Sequence, residues 1–370
     1  MICILNFSVF LVFKKIEKTM LNLYGTSIEE MSVHQVGNKS KDEGMFLSKE
    51  SYHLDTELIS HLNDFFFKPF IKQEESYHQL FHEDDLSFNE IYNLVKGIFN
   101  APDSFHDYSK KIAEYLYSKS EHPHIIAGEV YITLLNDISL NNEIVQGVGI
   151  FKSEIPRSFI KFRKDDENLM IDVEQGVFLE KLDKGAIIFN VESESGFKVL
   201  THDMNRYDAK YWTDSFLNIA PKQDEIFQTK KYLKLCEDFS KDVVFPNEDQ
   251  KEQIKFLNKS VDYFAKNDEF SEDEFINQVI ENPAYQNEFI DYKEKFKEDY
   301  KIEDFSNFAI ANDAVTNMRR KFKNIINLDT NFEIKLNFTD DNSNDLIEKG
   351  YDEEKGMYYY LVYFNEEKKK

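Results

Sequence analysis

The sequence predicts an α+β fold: an antiparallel sheet with helices in an N-terminal unit, followed by a mainly helical C-terminal unit closed by a β-hairpin. Three observations predict it. Between Gly128 and Asp203 six short β-rich runs follow one another across turns rich in Asn, Asp, Gly or Glu, too closely spaced for crossover helices of a dozen residues, so hairpins must connect them. After Asp208 the apolar period becomes helical. Near the end, NFEIKLNF and MYYYLVYF read as a pair of closing strands.

The elements follow in order. EEMSVHQVG and EGMFLSKE read as two short strands joined by the polar turn NKSKDEG. In ELISHLNDFFFKPF the residues Leu58, Leu62, Phe65 and Phe66 recur at helical spacing, and Pro69 is expected to end that helix. Two further helices are SFNEIYNLVKGIF and DSFHDYSKKIAEYLYSKS, the second capped by Asp103 or Ser104. Then come the strands GEVYITLLNDI, EIVQGVGIFKSE, RSFIKFRK, NLMIDVEQG, GAIIFNVE and GFKVLTHD, an antiparallel meander. A nearly continuous helical block runs from YWTDSFLNI to YQNEFIDYKEKFKEDY, interrupted at Pro221, Pro246 and Pro283, and DAVTNMRRKFKNII is a last helix.

The chain has 370 residues, enough for two domains, and its 41% hydrophobic and 15% aromatic content exceeds what a disordered chain carries. We expect an extension over 1–19, an α+β domain over 20–205 and a mainly helical domain over 206–370. The apolar run in MICILNFSVFLVFKKIEKT is too short to span a bilayer, its lysines follow it, and no small-residue cleavage site appears, so it reads as an extension rather than a targeting segment. Cys3 and Cys236 are far apart and fit a reducing cytoplasm, not a disulfide framework or zinc site. A formal charge of −24 repels nucleic acid and anionic membrane at long range, so DNA contact requires a local basic patch and no membrane partner is expected.

LTHDMNRYDAKYWTDSFLNI holds the single Trp, Trp212, with His202, Asp203, Arg206 and Asp208. It begins as the last strand and becomes a helix, so Trp212 reads as a buried packing anchor at the seam of two units, and Arg206 as an ion-pair partner for Asp203 or Asp208. HQLFH places His78 and His82 at the i, i+4 spacing by which a helix offers two imidazoles to zinc, with His122 or His124 as a third ligand. The general base of the metalloprotease motif is replaced by Gln79, so a metal-dependent hydrolase using His78 and His82 is a secondary alternative, beside the reading of two ordinary histidines on a polar surface helix or loop. GVGIFKS lacks phosphate-loop spacing, and its glycines sit in a strand where a bulge or close backbone approach is the simpler account. Asp165 and Asp166 read as turn residues. No nucleophile elbow and no catalytic Cys/His context occurs. No catalytic or metal-ligating residue is assigned, no cofactor is expected, and the chain reads as non-enzymatic.

Three basic clusters stand out against the acidic background as candidate nucleic-acid contacts. RSFIKFRK puts Arg157, Lys161 and Arg163 on one strand face with Phe159, while Ile160 and Phe162 face the other way. QTKKYLK contributes Lys230, Lys231 and Lys234 on a helix, opposite Ile226, Leu233, Cys236 and Phe239. NMRRKFKN supplies Arg319, Arg320, Lys321 and Lys323, with Val315, Met318, Phe322 and Ile325 as the buried side. For each cluster alone the simpler account is a solvated face paired with local carboxylates. Arg319 and Arg320 stand adjacent with no acid nearer on their N-terminal side than Asp313, which makes them the leading contact candidates.

HQVGNKSKDEG with FLSKE, HPHIIAGEVYI, VQGVGIFKSE, KLDKGAIIFN, LTHDMNRYDAKYWTDSFL and FAIANDAVTNMRRKFKNIINLDTNFEIKLNF with its closing MYYYLVYFNEE resemble, in this order, the bacterial nucleoid-associated proteins of the NdpA type, the 37-kDa nucleoid-associated proteins. The resemblance covers nearly everything from Met20 onward. It implies a cytoplasmic bacterial protein found with nucleoid DNA and carries over no catalytic residue. The association with DNA is either direct, through the basic patches, or mediated by a DNA-bound protein. An acidic adaptor for a DNA-processing enzyme such as a topoisomerase, whose basic surface would welcome it, is the alternative. A homo-oligomer stays open.

Overall fold

The computed structural model describes residues 21–71, 76–154, 157–166, 168–204, 210–244, 250–280, 282–322, 325–336 and 346–366. The expected extension over 1–19, Arg206, Asp208 and Lys323 lie outside them. Contacts divide the chain into two units, Met1–Lys222 and Gln223–Lys370, and the fold is α+β.

The first unit is built on an antiparallel sheet. In chain order its strands and helices are β1 (Leu21–Asn22), β2 (Ser27–Val36), β3 (Met45–Leu47), α1 (Thr56–Ile71), β4 (His78–Leu80), α2 (Glu90–Asn100), α3 (Phe105–Lys119), β5 (Gly128–Leu140), β6 (Glu143–Ser153), β7 (Arg157–Asp165), β8 (Asn168–Gly176), β9 (Lys184–Phe189), β10 (Lys198–Asp203), a π-helical segment Tyr211–Leu217, and β11 (Ile219–Pro221). The sheet runs β11-β4-β10-β9-β6-β5-β2-β3, with β1 on the far end of β5. The expected single meander is interrupted, because among the described residues β7 and β8 pair only with each other, as a separate hairpin, while β6 pairs directly with β9. Of the two residues read as turn residues, Asp165 is the last of β7, paired with Asn168, and Asp166, at φ 36°, lies in the turn.

Both faces of this sheet are covered, which is why GAIIF in β9 reads as a continuous apolar run and is wholly buried. Val130, Ile132, Leu134, Val148, Ile150, Ala186 and Ile188 pack with α2, α3 and the π-helical segment. Leu135, Ile138, Leu140, Phe151, Ile187 and Phe189 pack with α1. Side-chain alternation would send Leu135 and Ile138 to opposite faces; a bulge between them, with Asp137 at φ 59°, shifts the phase by one residue and keeps both under α1. Gly149 is a close-approach glycine: a Cβ there would lie 2.4 Å from the Phe151 ring and 2.5 Å from Thr133 Oγ1. Pro69 does not end α1 as expected. The helix runs two residues further because Phe66, stacked on Phe151 at 4.2 Å, and the buried Phe70 anchor its last turn against the sheet.

Trp212 is fully buried between sheet and helices in the first unit's core, its ring 5.1 Å from Phe216. The π-helical segment therefore packs with the sheet instead of opening the helical block.

The second unit holds α4 (Glu225–Phe239), a π-helical turn Ser240–Val244, α5 (Gln250–Lys266), β12 (Glu269–Ser271), α6 (Glu272–Val279), α7 (Pro283–Tyr300), β13 (Asn307–Ala309), α8 (Asn312–Lys321), β14 (Ile325–Asn327), β15 (Glu333–Lys335), β16 (Ile347–Asp352) and β17 (Met357–Val362). Asp224 caps α4 by accepting from Phe227 N–H, and Asn282 caps α7 with Pro283 at its first position, where a missing N–H costs nothing. The core is aromatic: Tyr232 is fully buried among the rings of Phe264, Phe270, Phe275, Phe289, Phe305 and Phe308.

Two expectations for this unit are corrected. The helix expected to reach Ile326 stops at Lys321, where Phe322 turns extended and Ile325 and Ile326 pair with Lys335 and Ile334. The two late strands also do not pair with each other, since β15 takes β14 and β17 takes β16 as nearer partners along the chain. The chain does close on a hairpin, β16–β17.

Candidate nucleic-acid interface and a buried charge cluster

The hairpin register confirms the two faces of β7. Lys161 stands opposite Asp172 and Phe159 opposite Glu174 on one side, with Ile160 opposite Val173 and Phe162 opposite Ile171 on the other. Two cations of the first side are paired: Lys161 Nζ lies 3.1 Å from Glu174 Oε1 and Arg163 Nε 3.4 Å from Asp172 Oδ2. For Arg157 only the backbone, at the start of β7, is described.

On α4 the lysines are half-buried instead of freely solvated. Lys234 reaches Asp238 at 2.7 Å and Glu237 at 3.4 Å. Lys231 lies 3.7 Å from the centroid of the Tyr300 ring, and burial lowers its pKa. Lys230 is half-buried as well. The residues opposite them, Leu233, Cys236 and Phe239, are in the core as expected.

Arg319, Arg320 and Lys321 form the last turn of α8, where positive charge complements the helix dipole. The buried side is Ala314, Val315 and Met318. Arg319 Nη2 bonds Asp262 Oδ1 of α5 at 2.5 Å, so the acid missing from its own sequence neighbourhood arrives from another helix. Arg320 is exposed and, among the described residues, has no ion-pair partner.

HQLFH is not helical. His78–Leu80 is β4, held between β10 and β11. The strand ends at Leu80 and His82 lies beyond it, so the two imidazoles are not stacked on one helix face. Burial lowers the pKa of His78, and His82 packs near Phe88 at 5.4 Å. Among the described residues no group of three or more His, Cys, Asp or Glu is arranged to hold a metal ion.

A cluster of charged side chains missed by the sequence reading lies inside the first unit. Cross-strand register places Lys152 of β6 opposite Lys184 of β9, and Lys184 opposite Asp203 of β10. Lys152 Nζ donates to Glu154 Oε1 at 2.9 Å, to the Ile126 carbonyl at 2.6 Å and to Tyr211 Oη at 3.2 Å. Tyr211 Oη donates to the same Glu154 oxygen at 3.3 Å. Lys184 Nζ lies 2.9 Å from Asp203 Oδ1 and 3.9 Å from Glu154 Oε1. Asp183 joins through its carboxylate, which accepts the Glu154 backbone N–H at 2.8 Å. Lys152 and Lys184 have no solvent-exposed surface and Glu154 almost none. Burial drives the Lys152 pKa down and the Glu154 charge opposes it. A sequence signal existed: FKSE, LDKG and THD place charges at the ends of strands whose neighbours are wholly apolar. With no accessible surface the two ammonium groups offer a ligand no contact; their chemistry is to tie β6, β9, β10 and the π-helical segment into one register.

The segments that meet in this cluster, VQGVGIFKSE, KLDKGAIIFN and LTHDMNRYDAKYW, are among those that carry the resemblance to the NdpA-type proteins. Among the described residues no helix is long and apolar enough to cross a membrane. A search of curated proteins finds no match. The profile of the family described as nucleoid-associated protein YejK matches residues 32–357, so the sheet apart from β1 and the start of β2, its buried charge cluster and nearly all of the helical unit fall inside it, and the chain belongs to that family of nucleoid-associated proteins.

Proposed function

We infer that this is a non-catalytic protein of the bacterial nucleoid that reaches DNA chiefly through a DNA-bound protein. The observation that carries this reading is the neutralisation of its cations: Lys161, Arg163, Lys234 and Arg319 each hold a carboxylate on a chain of net charge −24. Counterion release, the main source of affinity for duplex DNA, needs cations free to meet phosphates. A strongly acidic surface instead favours a basic partner, such as the DNA-binding face of a DNA-processing enzyme like a topoisomerase. Cytoplasmic residence follows from the same reading.

The second reading, direct DNA contact, is favoured by one feature: exposed Arg320 beside Arg319 and Lys321 at the end of α8. A pull-down from native lysate, repeated after nuclease digestion, separates the two. Under the first reading the same basic protein is recovered with and without nuclease. If nuclease releases every partner, and purified protein binds bare duplex with a steep salt dependence, direct contact is the better account.

A further inference from the structure

We propose that the β7–β8 hairpin is a homodimerisation surface, its apolar face covered by the same face of a second copy of this chain. Cross-strand pairing collects Ile160, Phe162, Leu169, Ile171 and Val173 on one side of the hairpin. They are 60%, 60%, 60%, 63% and 70% exposed. A two-stranded hairpin standing by itself is marginal in water and needs a further layer on its apolar face. Among the described residues nothing pairs with either strand except the other.

Two observations select a second copy as that layer. Charge comes first. The chain as a whole is at −24, so two copies repel wherever ordinary surface meets, yet residues 157–176 carry four Lys or Arg against five Asp or Glu. The hairpin is thus close to neutral, and on the opposite side Lys161 and Arg163 are held by Glu174 and Asp172. It is a place where two acidic molecules can touch at small electrostatic cost.

Area comes second. The five side chains leave in water the equivalent of about three whole large side chains, on the order of 500 Å² per copy, so two faces together cover roughly 1,000 Å², the lower bound for a specific interface. A two-fold arrangement lets one patch meet itself, with the Phe162 and Ile171 row nearest the axis, and Lys164 at the rim keeps its ammonium in water. Neither DNA nor an anionic membrane matches an uncharged apolar face on an acidic chain.

The test is sedimentation equilibrium on the full chain over a range of concentrations, with Phe162→Glu/Ile171→Glu as the disrupting variant. The wild type is expected at twice the chain mass, and the variant at the chain mass with unchanged circular dichroism, its dimer weakened at least about a hundredfold. Mild oxidation of Phe162→Cys and Phe159→Cys proteins supplies an independent arm, because these positions lie on opposite faces of β7. A disulfide-linked dimer is expected from Phe162→Cys and not from Phe159→Cys. A monomeric wild type at all concentrations, a dimer that survives the double substitution, or equal cross-linking from both faces overturns the proposal. Should the charged variant fail to fold, the cross-linking comparison decides.

Discussion

Lys152 Nζ and Glu154 Oε1 lie 2.9 Å apart with almost no solvent access to either, two residues apart in sequence and bridged again by the Tyr211 hydroxyl. Buried pairs of this kind add little net stability over apolar residues of the same volume, but removing one member strands the other. Glu154 serves two ammonium groups, so its loss leaves Lys152 without its carboxylate and strips Lys184 of a neighbour at 3.9 Å. Glu154→Gln is expected to destabilise the first unit by about 3–5 kcal/mol. Lys152→Met/Glu154→Leu should cost less than either single change, and Tyr211→Phe about 1 kcal/mol. Urea denaturation of the wild type, Glu154→Gln, Tyr211→Phe, the single changes Lys152→Met and Glu154→Leu and their double checks the ordering, and additive single and double changes would refute the coupling.

Trp212 fills the core with its ring but its indole N–H finds no hydrogen-bond partner among the described residues. Its contribution is therefore volume. Trp212→Ala should cost about 3–5 kcal/mol through the cavity it leaves. Trp212→Phe removes an unsatisfied donor along with part of the ring and should cost distinctly less. A Phe variant as unstable as the Ala variant would mean that the indole nitrogen is bonded.

His34 gives the fold a defined response to acid. Its Nδ1 accepts the Ser48 backbone N–H at 3.2 Å and its Nε2 lies 3.0 Å from Ser109 Oγ, an arrangement that needs a neutral ring. Burial first, then the charges of His106 and Lys110, move its pKa from 6.5 down to about 4. The sign follows from proton counting. Above pH 6.5 the folded and unfolded chains both hold His34 neutral; between 6.5 and 4 the unfolded chain binds more protons, so stability falls as pH falls. The loss reaches roughly 2–3 kcal/mol near pH 4, discounted for the polar groups around the ring. Unfolding free energies from pH 7.5 to 4.5 should fall more steeply for wild type than for His34→Gln, and parallel curves would exclude His34 as the sensor.

Local periodicity carried much of the fold, and it failed where a distant partner decides. The apolar β-rich run GEVYITLLNDI, covered on both faces, and the helical stripe of ELISHLNDFFF, with one face on the core, are readable from neighbours alone. HQLFH has helical spacing in its histidines, but its backbone is claimed by β10 and β11, more than a hundred residues away. NFEIKLNF and MYYYLVYF were legible as strands and not as to partner, because strand composition is silent about pairing. The basic clusters were legible as residues and not as charge: the carboxylate beside Arg319 comes from Asp262, fifty-seven positions earlier. The buried cluster stayed hidden for the same reason, since Lys152, Lys184 and Asp203 meet only through cross-strand register.

Arg319 and Arg320 offer the sharpest test of how the protein meets the nucleoid. Arg319 is committed to Asp262, while Arg320 is exposed without an ion-pair partner among the described residues. An exposed pair of that kind contributes about 0–1 kcal/mol, so Arg319→Ala/Arg320→Ala should remain folded with a melting temperature only slightly lowered. Each phosphate neutralised lowers log K against log salt by about 0.9, so a protein using both side chains on DNA would lose roughly one to two contacts from its salt slope in the double variant. Under protein-mediated association the slope for bare duplex stays where it was. The change then registers, if anywhere, in capture of the basic partner, which improves as two positive charges leave an acidic surface. Duplex binding at several salt concentrations, with thermal unfolding of the same preparation, reads both. A slope shallower by one contact or more with the fold intact would establish direct phosphate contact at the end of α8. An unchanged slope would assign nucleoid association to a partner.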